Sequence, residues 1–339
     1  MKEVQEIRAR LRDINLVSLS FGKDSTSVLQ LVLEALRGTH KQLYIVTADT
    51  MMEIPFYQDY MDRQREKLQA YIKRSGINAE IVTVRPSTLK TYWVRSLGFG
   101  YPAPHMGFRW CTGAIKTKPI EEATGRMTAG QEFMTFIGVR RAESELRERI
   151  YPDADVSPTK YAPIVHWSTE EVWSYLLTEP CPWGDDHREL VQVYRYASDE
   201  CVYGEKQGVC IGNARYGCWI CPLQKDAQLR MISYFTGDAR YLELKRYKEV
   251  YCAMSAPAYR SRIRRNGEIA PGPFLVSVRE DLYRALKRLE AETGWRLISQ
   301  AEEVEIFRLW DLDSDIHNVA DDSSPLLWTV EEELEECGA

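Results

Sequence analysis

The first 140 residues alternate between apolar, β-branched runs and amphipathic stretches of helical period, and this alternation restricts the fold more than any other feature. A helical lead-in (Glu3 to Leu11) precedes a strand over Ile14–Leu19 and a helix reaching Arg37. Strand Leu43–Ala48, a helix from Phe56 to Lys73 and strand Glu80–Val84 follow. After another helical stretch comes strand Phe133–Gly138. Such strands are buried on both faces and pair in parallel, with helices on both sides of the sheet. Ligands of such sheets bind beyond the carboxyl ends of the strands. Ser20–Ser25, Asp49-Thr50 and Gly138-Val139-Arg140 all fall at those ends.

Ser20-Phe21-Gly22-Lys23-Asp24-Ser25-Thr26 joins the first strand to a helix through a tight turn. Helix N-termini carry unpaired N–H groups and the positive end of the helix dipole, which suit a phosphate. The loop is not a Walker A motif, because Asp24 follows Lys23 where Ser or Thr is required. A carboxylate in a phosphate loop repels the ligand unless a cation intervenes. Asp24 therefore implies Mg²⁺ or tight packing against Lys23. A second Gly-rich segment, Gly98-Phe-Gly100-Tyr-Pro-Ala103, fits a loose dinucleotide fingerprint. Pro102 and Pro104 bar the helix that this motif needs.

The net charge of −6 hides an asymmetry: −12 sits in residues 301–339, which leaves +6 on the rest. A mildly basic body with an acidic tail is compatible with nucleic acid, and the run Tyr259-Arg260-Ser-Arg262-Ile-Arg264-Arg265 is the best candidate for a phosphate-backbone contact. No apolar run is long enough for a membrane span and the N-terminus is charged, so a cytoplasmic protein without a membrane partner is expected. In a reducing compartment the eight cysteines point to metal or redox chemistry rather than a disulfide framework.

Five of those cysteines lie in residues 180–222, which read as irregular. Cys218-Trp-Ile-Cys221-Pro222 is a pair at metal-ligand spacing, with Cys210 upstream and Cys111 in Arg109-Trp110-Cys111. Four thiolates suit a tetrahedral zinc or a [4Fe–4S] cluster, and Cys201 is an alternative fourth ligand. Cys181 and Cys252 have no partner spacing and read as core residues.

The loop Ser20–Thr26 resembles the pyrophosphate loop of ATP pyrophosphatases. Together with Asp49-Thr50, Arg109-Trp-Cys111 plus Lys116 and Pro119, and Gly138-Val-Arg140-Arg-Ala-Glu143-Ser144-x-x-Arg147, it resembles the phosphoadenosine-phosphosulfate (PAPS) reductases. Arg215-Tyr-Gly-Cys218-Trp-Ile-Cys221 with Cys210 resembles, more narrowly, the DNA phosphorothioation proteins DndC and SspD, which are PAPS-reductase-like ATP pyrophosphatases carrying an iron–sulfur cluster. The resemblance covers roughly residues 14 to 225.

It implies an α/β fold: a doubly wound, mostly parallel sheet of the adenine nucleotide alpha-hydrolase type, with an irregular cysteine-rich segment and a helical C-terminal part. The expected division is 1–180 for the pyrophosphatase domain, 181–225 for the cluster-binding segment and 226–339 for the C-terminal region, with helices near 224–252 and 278–296. ATP and Mg²⁺ would bind through Ser20, Gly22, Lys23, Asp24, Ser25, Asp49, Gly138, Arg140, Ser144 and Arg147, with Lys23 and Asp24 catalytic. Cys111, Cys210, Cys218 and Cys221 would hold a [4Fe–4S] cluster. The implied activity is ATP-dependent sulfur transfer to the DNA backbone, with a cysteine desulfurase as sulfur donor and other subunits of the modification system as partners. Two alternatives stand beside it. Glu336-Cys337-Gly338 resembles the nucleophilic tail of thiol-dependent PAPS or adenosine phosphosulfate reductases, and a tRNA base is a possible sulfur acceptor.

Overall fold

The computed structural model describes residues 1–184, 186–197, 216–224, 227–264 and 266–314. They form two compact units: residues 1–49, 55–84 and 119–216, and residues 50–54, 85–118 and 217–339.

The first unit is the sheet with its helices. Helix α1 (Lys2–Arg10) leads into β1 (Ile14–Ser18), α2 (Lys23–Leu36), β2 (Gln42–Ala48), α3 (Pro55–Ser75) and β3 (Ala79–Val84). Then follow α4 (Lys118–Thr128), β4 (Phe133–Phe136), α5 (Glu145–Ile150), β5 (Asp155–Ser157), β6 (Lys160–Tyr161), α6 (Thr169–Thr178) and α7 (Arg188–Ala197). The strand order is β3-β2-β1-β4-β6-β5. All pairings are parallel except β5 against β6, an edge hairpin. The chain winds outward from β1 through β2 to β3, then returns to place β4 on the other flank of β1. The carboxyl ends of β1 and β4 therefore bracket the point where strand order reverses, which is where crevices open in such sheets.

Apolar side chains explain the parallel pairing. Leu16 and Val17 of β1, with Ile45 and Val46 of β2, are buried, as central parallel strands require. Ile14, Leu16, Val46, Val84 and Ala123 pack in one layer, extended by Tyr44, Val82, Ile120 and Phe133. Helix α7 is a departure from expectation, since it forms inside the stretch that reads as irregular. Its Leu190, Val191, Val193 and Tyr194 recur at helical spacing and are all buried.

The second unit carries α8 (Ala227–Thr236), α9 (Arg240–Ala253), α10 (Val276–Thr293) and α11 (Gln300–Ser314). The helix expected over 224–252 is two helices, because Gly237 takes a left-handed φ of 70° between them. Gly294, at φ 71°, closes α10 in the same way. Helix α11 arises within the acidic stretch, where charge obscures the buried Ile306 and Leu309. No helix among the described residues is long and apolar enough to cross a membrane.

Asp313 of α11 is the acceptor of a buried pair: Arg279 Nη1 lies 2.6 Å from its carboxylate, with side-chain exposures of 1% and 8%. The same guanidinium also donates to the carbonyls of Gly98 and Phe274. Removing one partner of such a pair strands the other charge. Asp313→Ala is expected to lower stability by about 3–5 kcal/mol in urea unfolding; a loss below about 1 kcal/mol would contradict this role.

His187 is a buried titratable group of the first unit. Its Nε2 donates to Gln30 Oε1 at 2.9 Å, and burial lowers its pKa to about 4. The folded protein then favours the neutral ring, while the unfolded chain takes up its proton near pH 6.5. Stability is complete above about pH 6.5 and falls as the pH drops toward 4. Replacing His187 with Gln is expected to flatten this part of the stability–pH curve; an unchanged slope would contradict the assignment.

Candidate functional site

In the first unit the loop after β1 is built from its own hydroxyls. Ser25 Oγ accepts from Ser20 N–H at 3.1 Å and donates to the Gly22 carbonyl at 3.1 Å. Phe21 is held at a φ of 56° with its ring buried. Tyr57 Oη donates to the Ser20 carbonyl at 2.6 Å, and Lys23 N–H, the first amide of α2, donates to Tyr194 Oη at 3.1 Å. Tyr194 thus caps one of the orphan amides of a helix N-terminus. Its phenol is held above its ordinary pKa by burial first and by the Asp24 charge second, so it stays protonated. Tyr216 stacks on Tyr57 with ring centroids 4.2 Å apart.

Asp24 sits between two cations. Lys23 Nζ is 3.2 Å from Oδ2 and Arg140 Nε is 2.5 Å from Oδ1. Arg140, 1% exposed, also donates to the Trp167 carbonyl and Thr169 Oγ1. The tight packing of Asp24 on Lys23 is therefore present, and a second cation from β4's end accompanies it. The three charges sum to one positive charge at a helix N-terminus, so the loop attracts an anion although it contains a carboxylate. Both Asp24 oxygens are engaged by protein cations, so this carboxylate is not an open Mg²⁺ ligand in this conformation.

Gly138 is demanded by close approach. A Cβ there would lie 2.9 Å from the Asp24 carbonyl carbon and 2.9 Å from the Ser25 nitrogen, both immobile backbone atoms. Beyond it, Glu143 accepts from Arg140 N–H and pairs with the Arg147 guanidinium, while Ser144 Oγ caps α5 by accepting from Arg147 N–H. Asp49 directly follows β2, the neighbouring strand, its N–H bonded to the Val84 carbonyl. The sheet so brings Ser20–Ser25, Asp49 and Gly138–Arg140 to one edge. Tyr57 and Tyr194 escape a sequence reading, because each contacts the loop from far along the chain and neither belongs to a motif.

In the second unit Cys218 and Cys221 form a tight turn, with Cys221 N–H bonded to the Cys218 carbonyl at 3.0 Å. Trp219 between them is buried against Trp93 and Tyr247, which roots the turn in an aromatic core. Residues 50–54 pass alongside: Trp219 N–H donates to the Met52 carbonyl, and Thr50 Oγ1 lies 3.6 Å from Cys218 Sγ. Burial pushes the Cys218 thiol up to about 12, with the Glu53 charge second. Burial also raises Cys111, and Cys221 adds to that shift. Cys111 begins a π-helical turn (Thr112–Thr117), a distortion frequent at functional sites.

Three of the four expected ligands therefore belong to one unit. Their donor set, three half-buried thiols, is of the kind that binds a thiolate-held metal centre. Among the described residues no group of three or more metal-ligating side chains is yet gathered tightly enough to hold an ion. Cys201, Cys210 and Cys337 lie outside the described residues, as does Arg265. Cys181 is buried, as a core residue should be, and Cys252 is half-buried.

A family model described as the phosphoadenosine phosphosulfate reductase domain matches residues 14–223. An uncharacterized protein of Methanocaldococcus jannaschii is 26% identical over 221 residues, spanning 64% of this chain but only 38% of the relative. An adenosine 5'-phosphosulfate reductase of Staphylococcus epidermidis is 24% identical over 206 residues, covering 60% of this chain and 74% of that one. Among solved structures, the U34-tRNA thiolase NcsA of Methanococcus maripaludis with its [4Fe-4S] cluster aligns at 16% identity. That alignment covers 57% of this chain and 71% of that one, with a TM-score of 0.34.

The Asp24 bridge gives a direct test of the loop's construction. A double-mutant cycle between Asp24→Asn and Arg140→Gln, read by urea unfolding, is expected to return a coupling of about 1–3 kcal/mol. Strictly additive effects would mean that the bridge does not hold the loop.

Proposed function

The chain belongs to the phosphoadenosine phosphosulfate reductase domain family, and from that premise we propose that it is an ATP pyrophosphatase that activates a DNA phosphate oxygen for replacement by sulfur, in the manner of DndC or SspD. The observation that carries the reading is the loop itself: Lys23 and Arg140 flank Asp24 at the amino end of α2, leaving one positive charge at the strand-order reversal.

In this reading the ATP β- and γ-phosphates lie on the α2 amides and Lys23, with Mg²⁺ carried in on the nucleotide. Arg140 acts through Asp24 as a positioning residue, and Ser144 and Arg147 sit on the segment that closes over the nucleotide. A non-bridging oxygen of the DNA phosphate forms a bond to the α-phosphorus as the bond to pyrophosphate breaks. That oxygen then departs as part of AMP when sulfide forms the phosphorus–sulfur bond; a cysteine desulfurase supplies that sulfur as a persulfide, from which a thiol reductant releases it as sulfide and is itself oxidised to the disulfide. The protein's contribution to the first step is alignment and charge neutralisation. Cys111, Cys218 and Cys221, with Cys210, would hold an iron–sulfur cluster, which supplies sulfur-transfer or electron-transfer capacity when bound. The domain boundaries expected from sequence accompany this proposal: 1–180 for the pyrophosphatase domain, 181–225 for the cluster-binding segment and 226–339 for the helical C-terminal region with its acidic tail.

A second reading has specific support. The Staphylococcus epidermidis relative is named a reductase of adenosine 5'-phosphosulfate, and Cys337 stands in a Glu-Cys-Gly tail. On that reading no pyrophosphate forms.

Anaerobically prepared protein with ATP, DNA and a cysteine desulfurase is expected to release pyrophosphate, and Lys23→Ala should reduce the rate by about 100-fold or more. The Cys337→Ser variant should keep it. Sulfite formation from adenosine phosphosulfate, abolished by Cys337→Ser and without pyrophosphate, would replace this reading with the reductase.

A further inference from the structure

The second unit contains a cleft of about 570 Å³ that lies outside the loop and the cysteines. That is ample for a small ligand or a nucleotide. Two hairpins form it. One turns at Met106-Gly107, with His105 and Phe108 paired across it; the other runs from Arg260 to Phe274, paired at Arg260 with Phe274 and at Ile263 with Ile269.

The walls differ in chemistry. On one side Tyr101 and Phe108 lie nearly parallel, 3° between ring planes and 6.1 Å between centroids. Phe108 remains 41% exposed, which leaves its ring accessible to a ligand in the cleft. Arg95 stacks beneath, 5.6 Å from the Tyr101 centroid, and its buried Nε has no acceptor. On the other side stand Arg260 and Arg264. Arg260 donates to the Gly272 and Pro271 carbonyls, which fixes its head group, and Arg264 pairs with the exposed Glu268 at 2.8 Å. None of the described lining residues is acidic.

The cleft is built rather than incidental. Phe274 N–H donates to the Gly100 carbonyl at 2.7 Å, tying the aromatic segment to the basic hairpin. Gly100 has a φ of 77°, and a Cβ there would meet Arg279 at 2.7 Å; a Cβ on Gly272 would meet the Ile263 carbonyl oxygen at 2.3 Å. Phe108 also lies three residues before Cys111, and Trp110 between them packs on Tyr101 with centroids 5.3 Å apart.

We propose that this cleft binds an unpaired segment of nucleic acid, with a base stacked on Phe108 and Tyr101 and the flanking phosphates on Arg260 and Arg264. Exposed aromatic faces beside fixed guanidinium groups are how proteins hold single strands without reading sequence. A duplex would satisfy the arginines but leave the aromatic wall unused, because its bases are stacked on one another. The inference deepens the proposed function by naming the form of its acceptor, a locally unpaired strand presented beside Cys111.

The test titrates the full chain against fluorescently labelled oligothymidylate, oligouridylate and a DNA duplex of equal length, read by anisotropy. Single strands are expected to bind more tightly than duplex. Phe108→Ala should weaken single-strand binding about tenfold or more, and Phe108→Tyr should restore it. Arg264→Gln should lower the dependence of log affinity on log salt by about one. Preference for duplex, or an unchanged affinity in Phe108→Ala, would overturn the proposal. Preference for oligouridylate would support the cleft while counting against DNA as the acceptor. Pyrophosphate release from ATP reads the loop of the other unit, so strand binding without turnover fails the proposed function alone. Turnover on DNA without strand binding fails the cleft alone.

Discussion

A carboxylate held between two cations governs the loop on which the rest of this protein's chemistry depends. Asp24 alone would repel a phosphate. With Lys23 on one oxygen and Arg140 on the other, the local charge becomes positive, and two strand ends separated by more than a hundred residues are tied together. The arrangement is placed where shielding is low: Arg140 is 1% exposed and the Asp24 side chain 14%. Desolvated charges of this kind are costly to leave unpaired, so removing one partner strands the others. Gly138 completes it, because only a residue without a side chain lets the β4 end touch the loop backbone.

The second unit solves a different problem, rooting the Cys218–Cys221 turn in a packed core. It does so by burying both residues between the paired cysteines: Ile220 is enclosed, Trp219 is packed among aromatic rings, and the chain of residues 50–54 bonds alongside. Burial raises the Cys111 and Cys218 thiols, which keeps those two protonated in this form. Binding a metal centre would have to displace those protons, which couples occupancy to local rearrangement.

Much of the sheet could be read from residues because central parallel strands are continuous apolar runs; β1 to β4 lie where Ile14–Leu19, Leu43–Ala48, Glu80–Val84 and Phe133–Gly138 place them, within two residues at each end. The edge hairpin of β5 and β6 was not legible, since its short strands carry no period. Helix α11 was hidden by its own acidic residues, although Asp313 among them is a buried partner of Arg279 rather than a solvated charge. Within the candidate site, Ser20–Ser25, Asp49 and Gly138–Arg140 follow the carboxyl ends of β1, β2 and β4. Tyr194 and Tyr57 were invisible, because their part is one hydroxyl each on a backbone group of the loop, a contact no local pattern encodes. The reading of Arg140 as a phosphate ligand also lacked its most immediate neighbour, because an ion pair across 116 residues leaves no mark in sequence spacing.

The proposed chemistry makes a claim about one oxygen atom. If a DNA phosphate oxygen attacks ATP and is later displaced by sulfur, that oxygen leaves in AMP. The reaction run with DNA whose phosphates carry heavy oxygen, followed by mass spectrometry of the AMP, measures this directly. The account predicts labelled AMP in step with sulfur incorporated into the DNA. Unlabelled AMP, with its new oxygen drawn from water and the DNA label retained, would contradict it.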